Sequence, residues 1–392
     1  MTDDPRPGVS PAPAAVCPGG NGGSLAPTGS GQVFAAIDLG TNSCRMLVAR
    51  HNHAESGRPD GAHPDGPRPE NPRAENARAE FRVIDSFSRI TRLGEGVSGS
   101  GRLSDDAMDR TIDALKCCAD KMDRRRVSAS RQVATEACRR AANCSEFLDR
   151  VTRETGLALE IISAEEEATL ALKGCAALLD FDIPYALIFD IGGGSTEVLF
   201  VQIADARNIA VQGCISLPMG VVTVAEDCGG GDLCGRTYQA VSDRVQKLLE
   251  PFEAVHGIRD KIAAGVTQMI GTSGTVTTLG GLHLGLNRYD RAAVDGLMLD
   301  FDALHATSQA LCAKTLQQRA AEPCIGWQRA DLMLAGCAIL EAICRMWPVG
   351  RLKVADRGLR EGLLMNLIHP STLRVEPGRM HPASARTSPL QS

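Results

Sequence analysis

A carboxylate that closes an apolar run and opens a tight polar turn occurs twice in the chain. The first copy is Asp38-Leu39-Gly40-Thr41-Asn42-Ser43, and the second, 152 residues later, is Asp190-Ile191-Gly192-Gly193-Gly194-Ser195. The likeness extends to both flanks. Val33-Phe34-Ala35-Ala36-Ile37 is answered by Tyr185-Ala186-Leu187-Ile188-Phe189, and Met46-Leu47-Val48 by Val198-Leu199-Phe200. The offset is too long for a solenoid repeat and close to the ~150 residues of one domain, so the chain reads as a duplicated domain. A strand-ending carboxylate before a glycine-bearing turn lets the backbone approach a phosphate or a metal-bound oxyanion, and two such turns predict two phosphate-gripping lobes. The copies differ at one telling place: Arg45 falls opposite Glu197, so one lobe offers a cation where the other offers a carboxylate.

With 392 residues and 43% apolar content, the chain is large enough for two domains, each with its own core. A formal net charge of −5 argues against a nucleic-acid binder held by general electrostatics. The fourteen cysteines are scattered through apolar stretches, which suits reduced, buried thiols. Only Cys228 and Cys234 have any metal-like spacing, and no second pair follows nearby, so that stretch reads as a plain loop. No run approaches the ~20 apolar residues of a membrane span, and the N-terminus lacks a signal-peptide pattern, so a cytoplasmic protein without membrane contact is expected.

Residues 1–32 form a Pro-, Gly- and Ser-rich leader expected to lack order. A first lobe is expected over 33–171, interrupted by a flexible insertion at 51–80 with five prolines, and a second over 172–368. The Pro- and Ser-rich stretch 369–392 reads as a solvated tail. A helix is expected to open at Ser104, with Asp105 and Asp106 in its first turn and Met108, Ile112, Leu115, Ala119 and Met122 on one face. Strands are expected at 131–134 and 157–162, then a helix over 164–179 that begins with Glu165, Glu166 and Glu167. Alternating strands and helices place the chain in the α/β class.

Acidic residues at a helix start ordinarily serve only the helix dipole. Here the helix leads into the second phosphate turn, where a carboxylate facing the junction of the lobes would take a proton from attacking water. Three consecutive glycines after Asp190 carry an entropic cost that close contact with a ligand would explain. Asp38 and Asp190 are hard oxygen donors suited to phosphate-bound Mg2+. A third turn, Gly271-Thr272-Ser273-Gly274-Thr275, follows an apolar pair and offers further amides and hydroxyls to a phosphate.

Together these stretches resemble the exopolyphosphatase and guanosine pentaphosphate phosphatase family, within the actin, sugar kinase and heat-shock ATPase superfamily. The matching segments, in family order over residues 33–368, are Ala36–Ser43, Arg92–Val97, Ala134–Ala141, Ile161–Ala168, Phe189–Glu197, Gly271–Thr275, Arg329–Asp331 and Leu359–Gly362. The resemblance implies two ribonuclease-H-like lobes around a cleft and hydrolytic release of terminal phosphate from inorganic polyphosphate or guanosine pentaphosphate, with Mg2+ as cofactor. It implies Glu167 as catalytic base, with Asp190 and Glu197 at the metal and the attacking water and Asp38 as a further metal ligand. Gly40, Thr41, Asn42 and Ser43 form the first phosphate turn by this likeness, and Gly192, Gly193, Gly194 and Ser195 the second. Arg139 falls in the interlobe cleft, and Arg45 and Arg92 stand as phosphate partners. Dimerisation is common among such proteins, which makes a homodimer an expectation. Ala164 and Glu165 replace the family's usual Gly and Asn, and Cys138 a common Leu. The additional C-terminal helical domain of longer members is absent from these residues. Two rivals stay open: a superfamily kinase, which would need an acceptor alcohol, and an actin-like nucleotide sensor that assembles rather than turns over.

Overall fold

The computed structural model describes residues 31–51, 81–229, 233, 235–368, 374–376 and 379–381. Most of the leader, the insertion and the tail, and Cys234, lie outside these residues.

Two sheets share one topology. The first consists of β1 (Val33–Leu39), β2 (Ser43–His51), β3 (Phe81–Ile90), β4 (Ala129–Ala134) and β5 (Glu160–Ile161), in the order β3-β2-β1-β4-β5. Its first three strands are antiparallel neighbours, and β4 and β5 add in parallel. The second consists of β6 (Tyr185–Ile191), β7 (Thr196–Asp205), β8 (Asn208–Leu217), β9 (Thr267–Thr272), β10 (Met298–Asp300), β11 (Arg351–Ala355) and β12 (Arg374–Glu376). Its order is β10-β11-β9-β6-β7-β8-β12, and β13 (Arg379–His381) also pairs with β8. The run β8-β7-β6-β9-β11 repeats β3-β2-β1-β4-β5 strand for strand. The molecule is therefore an α/β protein of two lobes, as the duplicated motif predicts, and the lobes are ribonuclease-H-like, as the family resemblance implies. Part of the stretch expected as a tail instead lengthens the outer edge of the second sheet.

Alternation within strands explains the layers. On β1, Val33, Ala35, Ile37 and Leu39 enter one core, packed beneath the helix Asp105–Arg124, while Phe34 and Ala36 enter another. On β6, Leu187, Phe189 and Ile191 face one core and Ala186 and Ile188 the opposite one. Both central strands are buried on both faces, which accounts for their nearly continuous apolar sequence. The helix Asp105–Arg124 starts as expected. Ser104 Oγ accepts from Ala107 N at 3.3 Å, and Met108, Ile112 and Leu115 are buried. The strand expected at 157–162 shrinks to Glu160–Ile161, because it pairs only with the last two residues of β4. The helix expected over 164–179 ends at Cys175 and tightens into a 3₁₀ turn.

The two helices that follow the last parallel strand of each repeat cross over. The helix Ala164–Cys175 follows β5 of the first sheet, yet its Ala168, Leu172 and Cys175 pack on β6, β7 and β8 of the second. The helix Leu359–Ile368 follows β11 of the second sheet and lays Leu363, Leu364 and Ile368 over β1 and β2 of the first. The helices meet backbone to backbone: a Cβ on Gly362 would lie 2.0 Å from Leu170 O, and one on Gly174 only 1.9 Å from Gly358 O. Each lobe is thus roofed by a helix delivered from the other.

Gly362 supplies a test with an unambiguous sign. In an unconstrained helix Gly→Ala stabilises by about 1 kcal/mol. At this contact the added methyl must displace backbone, so Gly362→Ala is expected to destabilise by about 2–4 kcal/mol, read as a lowered urea or thermal midpoint.

Candidate active site

Strand register carries the charged residues to one place. Asp38 pairs across the strands with Arg45, and Asp190 with Glu197, at equivalent positions of the two repeats. All four follow the alternation of the inner faces, on which the crossing helices lie. The two turns close alike: Gly40 N donates to Ser43 O at 3.0 Å and Gly192 N to Ser195 O at 2.9 Å.

A cleft between the sheets is lined by Asp38, Gly40, Thr41, Asn42, Ser43 and Arg45 from the first repeat, and by Asp190, Gly192, Gly193, Gly194 and Ser195 from the second. Glu167, at the start of the Ala164–Cys175 helix, enters it, as do Ser273 and Gly274. Among the described residues, no protein acceptor meets the amides of Thr41, Asn42, Gly193 or Gly194. The side-chain Oδ1 of Asn42 is buried without a partner. Unengaged turn amides beside a buried, unpartnered acceptor are what an oxyanion and its counter-cation would satisfy. The glycines answer to a packing demand as well. A Cβ on Gly193 would stand 3.0 Å from Thr41 Cβ and one on Gly194 2.7 Å from Thr41 Oγ1, so the two turns abut across the cleft.

Of the glutamate triplet, the fold selects one member. Glu166 is taken by Arg131, whose Nη2 donates to Oε1 at 2.6 Å. Glu167 Oε2 accepts from Arg139 Nη1 at 2.8 Å, while among the described residues none hydrogen-bonds its other oxygen. Arg139 also donates from Nε to Glu136 Oε2 at 3.1 Å and from Nη1 to Ile162 O, so the guanidinium stands behind Glu167 rather than in the cleft. Burial, and next the negative charge of Glu197, push the Glu167 carboxyl well above the usual carboxylate range, with Arg139 opposing them.

Glu197 is buried and does not line the cleft; its Oε1 accepts from Ser195 Oγ at 2.6 Å and from Ser216 Oγ at 2.8 Å. Burial raises it to about 7 against those serine hydrogen bonds. Burial likewise raises Asp190 to about 6, with Arg45 opposing and Asp38 adding to it. Asp38 is also raised by burial, opposed by Arg45 and Arg360. Carboxylates crowded in this way have an unmet demand for positive charge.

Arg92 lies outside the cleft. Its backbone is left-handed at φ 50°, and its guanidinium spans the lobes to Asp331 at 2.8 Å. Gly96 N donates to Glu226 Oε1 at 2.8 Å, a second link between the same two surfaces. Gly271 and Thr272 close β9 behind the cleft, with Gly271 pressed on the Phe189 ring and Thr272 Oγ1 donating to Arg357 O. The third turn presents Ser273 and Gly274 instead, at the N-terminus of the helix Gly274–His283. Thr135, Glu136 and Arg329 also line the cleft, though the sequence reading assigned them no role. A signal existed: Asp38 pairs in parallel with Val133 and Asp190 with Thr272, so the turn after β4 and the turn after β9 are equivalent, and Glu136 answers Thr275. Arg329 sat within a matched segment; burial, and next the charge of Arg45, depress its pKa.

Ser273 is held at φ 142°, a strained region for any residue with a side chain, while its Oγ caps the helix by accepting from Val276 N. Replacing a Ser cap by Gly costs a few tenths of a kcal/mol, whereas relieving such strain returns about 1–3 kcal/mol. Ser273→Gly is therefore expected to raise the thermal midpoint, and a lowered midpoint would show that the turn is unstrained.

Known proteins resemble this chain in sequence and in fold. A sequence model described as the Ppx/GppA phosphatase family matches residues 74–370. Exopolyphosphatase 2 of Mycobacterium tuberculosis is 30% identical over 345 residues, covering 85% of this chain and 98% of the relative. A guanosine-5'-triphosphate,3'-diphosphate pyrophosphatase of Vibrio parahaemolyticus is 28% identical over 345 residues, but the chain spans only 61% of that protein. Among solved structures, the Aquifex aeolicus Ppx/GppA family member superimposes with a TM-score of 0.64 at 28% identity, covering 88% of this chain and 99% of that one. An exopolyphosphatase from Cytophaga hutchinsonii shares the fold, with a TM-score of 0.72 at 21% identity over 89% of this chain and 100% of that one.

Proposed function

The chain belongs to the Ppx/GppA phosphatase family, and from that premise we propose that it hydrolyses inorganic polyphosphate, releasing orthophosphate from the chain end by attack of water. The observation that carries this reading is Glu167: a carboxylate inside the interlobe cleft, anchored through one oxygen by Arg139, with the other free to accept a proton.

Phosphoanhydride cleavage passes through a loose, highly charged transition state, so catalysis consists largely of positioning and neutralisation. The amides of the two abutting turns and the helix N-terminus at Gly274 would grip the terminal phosphoryl oxygens. Arg45 and Arg329, the cleft-lining guanidiniums, would neutralise the developing charge. Glu167 would orient a water and accept its proton, while Arg139 fixes the carboxylate and keeps it ionisable. Glu197 acts at one remove, as a positioning residue: it orients the Ser195 hydroxyl and raises the basicity of Glu167.

Among the described residues no three acidic, histidine or cysteine side chains converge as a metal cage. Magnesium does not need one, since it commonly takes one or two carboxylates and completes its shell with water and substrate phosphate. Asp38 and Asp190, with the unpartnered Asn42 Oδ1, fit that demand and would hold the ion, which would supply charge neutralisation at the phosphate chain. No described helix is long and apolar enough to cross a membrane. Polyphosphate is favoured over guanosine pentaphosphate because the cleft lining holds no aromatic ring and because the chain matches the mycobacterial relative nearly end to end. The extent of that match also favours hydrolysis over a kinase or an assembling sensor. The dimeric state remains a proposal, to be read by sedimentation.

Glu167→Gln preserves shape and the Arg139 contact, so phosphate release is expected to fall by about 10²–10⁴-fold with KM little changed. A near wild-type rate would remove Glu167 from the reaction. The raised carboxylates also set a pH dependence with opposite signs for stability and activity. Asp190 at about 6 and Glu197 at about 7 lie above their unfolded values, so the folded state binds more protons, and stability declines as pH rises from about 4 through 7. Activity rises over the same window as the carboxylates ionise. Mg2+ is expected to raise the thermal midpoint more at pH 8 than at pH 5, and an equal shift at both would place the cation elsewhere.

A further inference from the structure

Arg329 lines the phosphate cleft, yet its guanidinium has nothing to keep it there. Among the described residues it makes no hydrogen bond and no ion pair, and burial, and next the charge of Arg45 in the same cleft, act against it. A half-buried cation near a like charge moves toward water unless the backbone that carries it is held. Here the backbone is held on both sides by arginines from elsewhere in the fold. Ahead of Arg329, Gln328 O accepts from Arg92 Nη2 at 3.4 Å; behind it, Ala330 O accepts from Arg319 Nε at 3.3 Å. Arg319 is fully buried in the same half of the chain, whereas Arg92 follows β3 of the first lobe. The turn itself closes through Gly326 O, which accepts from Arg329 N and Ala330 N at 3.2 Å.

At its other end Arg92 is tied to the first phosphate turn. Thr91 N and Arg92 N both donate to Asn42 O at 3.0 Å, and Gly94 N donates to Thr41 O at 2.9 Å. The left-handed backbone of Arg92, at φ 50°, is unfavourable for a long side chain and persists only where its surroundings over-determine it. From there Nη2 reaches Asp331 at 2.8 Å and 3.1 Å as well as Gln328 O. One hydrogen-bonded path therefore runs from Asn42 through Arg92 to the two residues that bracket Arg329 most closely across the lobes. The side chains of Arg92 and Asp331 are 31% and 26% exposed, so their pairing adds little to stability, and placement is what it can supply.

We propose that Arg92 is a positioning residue for the hydrolysis: it locks the turn carrying Arg329 to the first phosphate turn, so that a phosphate chain gripped there meets a guanidinium already in place. The proposal rests on the reading of the cleft as the terminal-phosphate site. Arg92 touches no substrate in this role, and Asp331 is the partner through which it acts.

Asp331→Asn keeps the shape of the partner and removes its charge. It is expected to raise the KM for polyphosphate about tenfold while kcat changes less than about threefold and the thermal midpoint barely moves. Arg92→Ala is expected to act in the same direction. In an Arg329→Ala background, Asp331→Asn is expected to raise KM no further, because the residue it places is gone. The affinity for tripolyphosphate, read by calorimetry, is expected to follow the same pattern. An unchanged KM in both single variants, or the full penalty retained in the Arg329→Ala background, would overturn the role. So would a fall in kcat and thermal midpoint with KM unchanged, which would leave the clamp as a brace of the fold alone. Should the wild type release no phosphate from polyphosphate, the hydrolytic reading fails, and the non-additive loss of tripolyphosphate affinity then tests the positioning role by itself.

Discussion

The lobes hold their relation because two helices exchange places and touch through bare backbone. At Gly362 and Gly174 there is no room for a methyl group, so the Ala164–Cys175 and Leu359–Ile368 helices approach more closely than side-chain packing would allow. Each helix is apolar toward the opposite lobe's sheet, which makes burial of that surface conditional on both lobes being folded. The cleft depends on this exchange. With the helices crossed, the two inner sheet faces confront each other and the turns after β1 and β6 abut at Gly193 and Thr41.

Within that frame the pseudo-symmetry is chemically broken at one cross-strand position. Asp38 faces Arg45 and Asp190 faces Glu197; burial raises all three carboxyls, and Arg45 opposes it at both aspartates but is not among the charges acting on Glu197. The excess negative charge therefore accumulates on the second lobe, next to Glu167, while the cleft's guanidiniums are Arg45 on the first and Arg329 across from it. A site so divided can hold a polyanion against its cationic side and keep a proton acceptor on the other. Arg139 belongs to neither set: it anchors Glu167 from behind, and its own compensation comes from Glu136.

Closure is maintained away from the chemistry. Arg92 with Asp331, and Gly96 with Glu226, join the mouths of the lobes, and Arg92 does so from a left-handed backbone that ordinarily disfavours a long side chain. The same clamp braces the turn that precedes Asp331, since Arg92 Nη2 also donates to Gln328 O.

The duplicated strand–turn–strand pattern determined by itself that the chain holds two equivalent lobes, because an apolar run with a carboxylate at its end specifies both a buried strand and the face its last residue occupies, while the kind of lobe was legible only through the family resemblance. It determined the register too: a 152-residue offset predicted that Arg45 and Glu197 would stand at equivalent points, and they do. Local sequence left the glutamate triplet undivided, with only the family resemblance singling out Glu167, gave Glu197 and Arg92 the same standing as cleft-lining residues, and passed over Glu136 and Arg329. The tertiary structure decided those cases, since whether a charged side chain enters the cleft, backs another residue or bridges two lobes depends on which surfaces are brought together. That is set by the crossing of helices distant in sequence, for which a linear pattern holds no record.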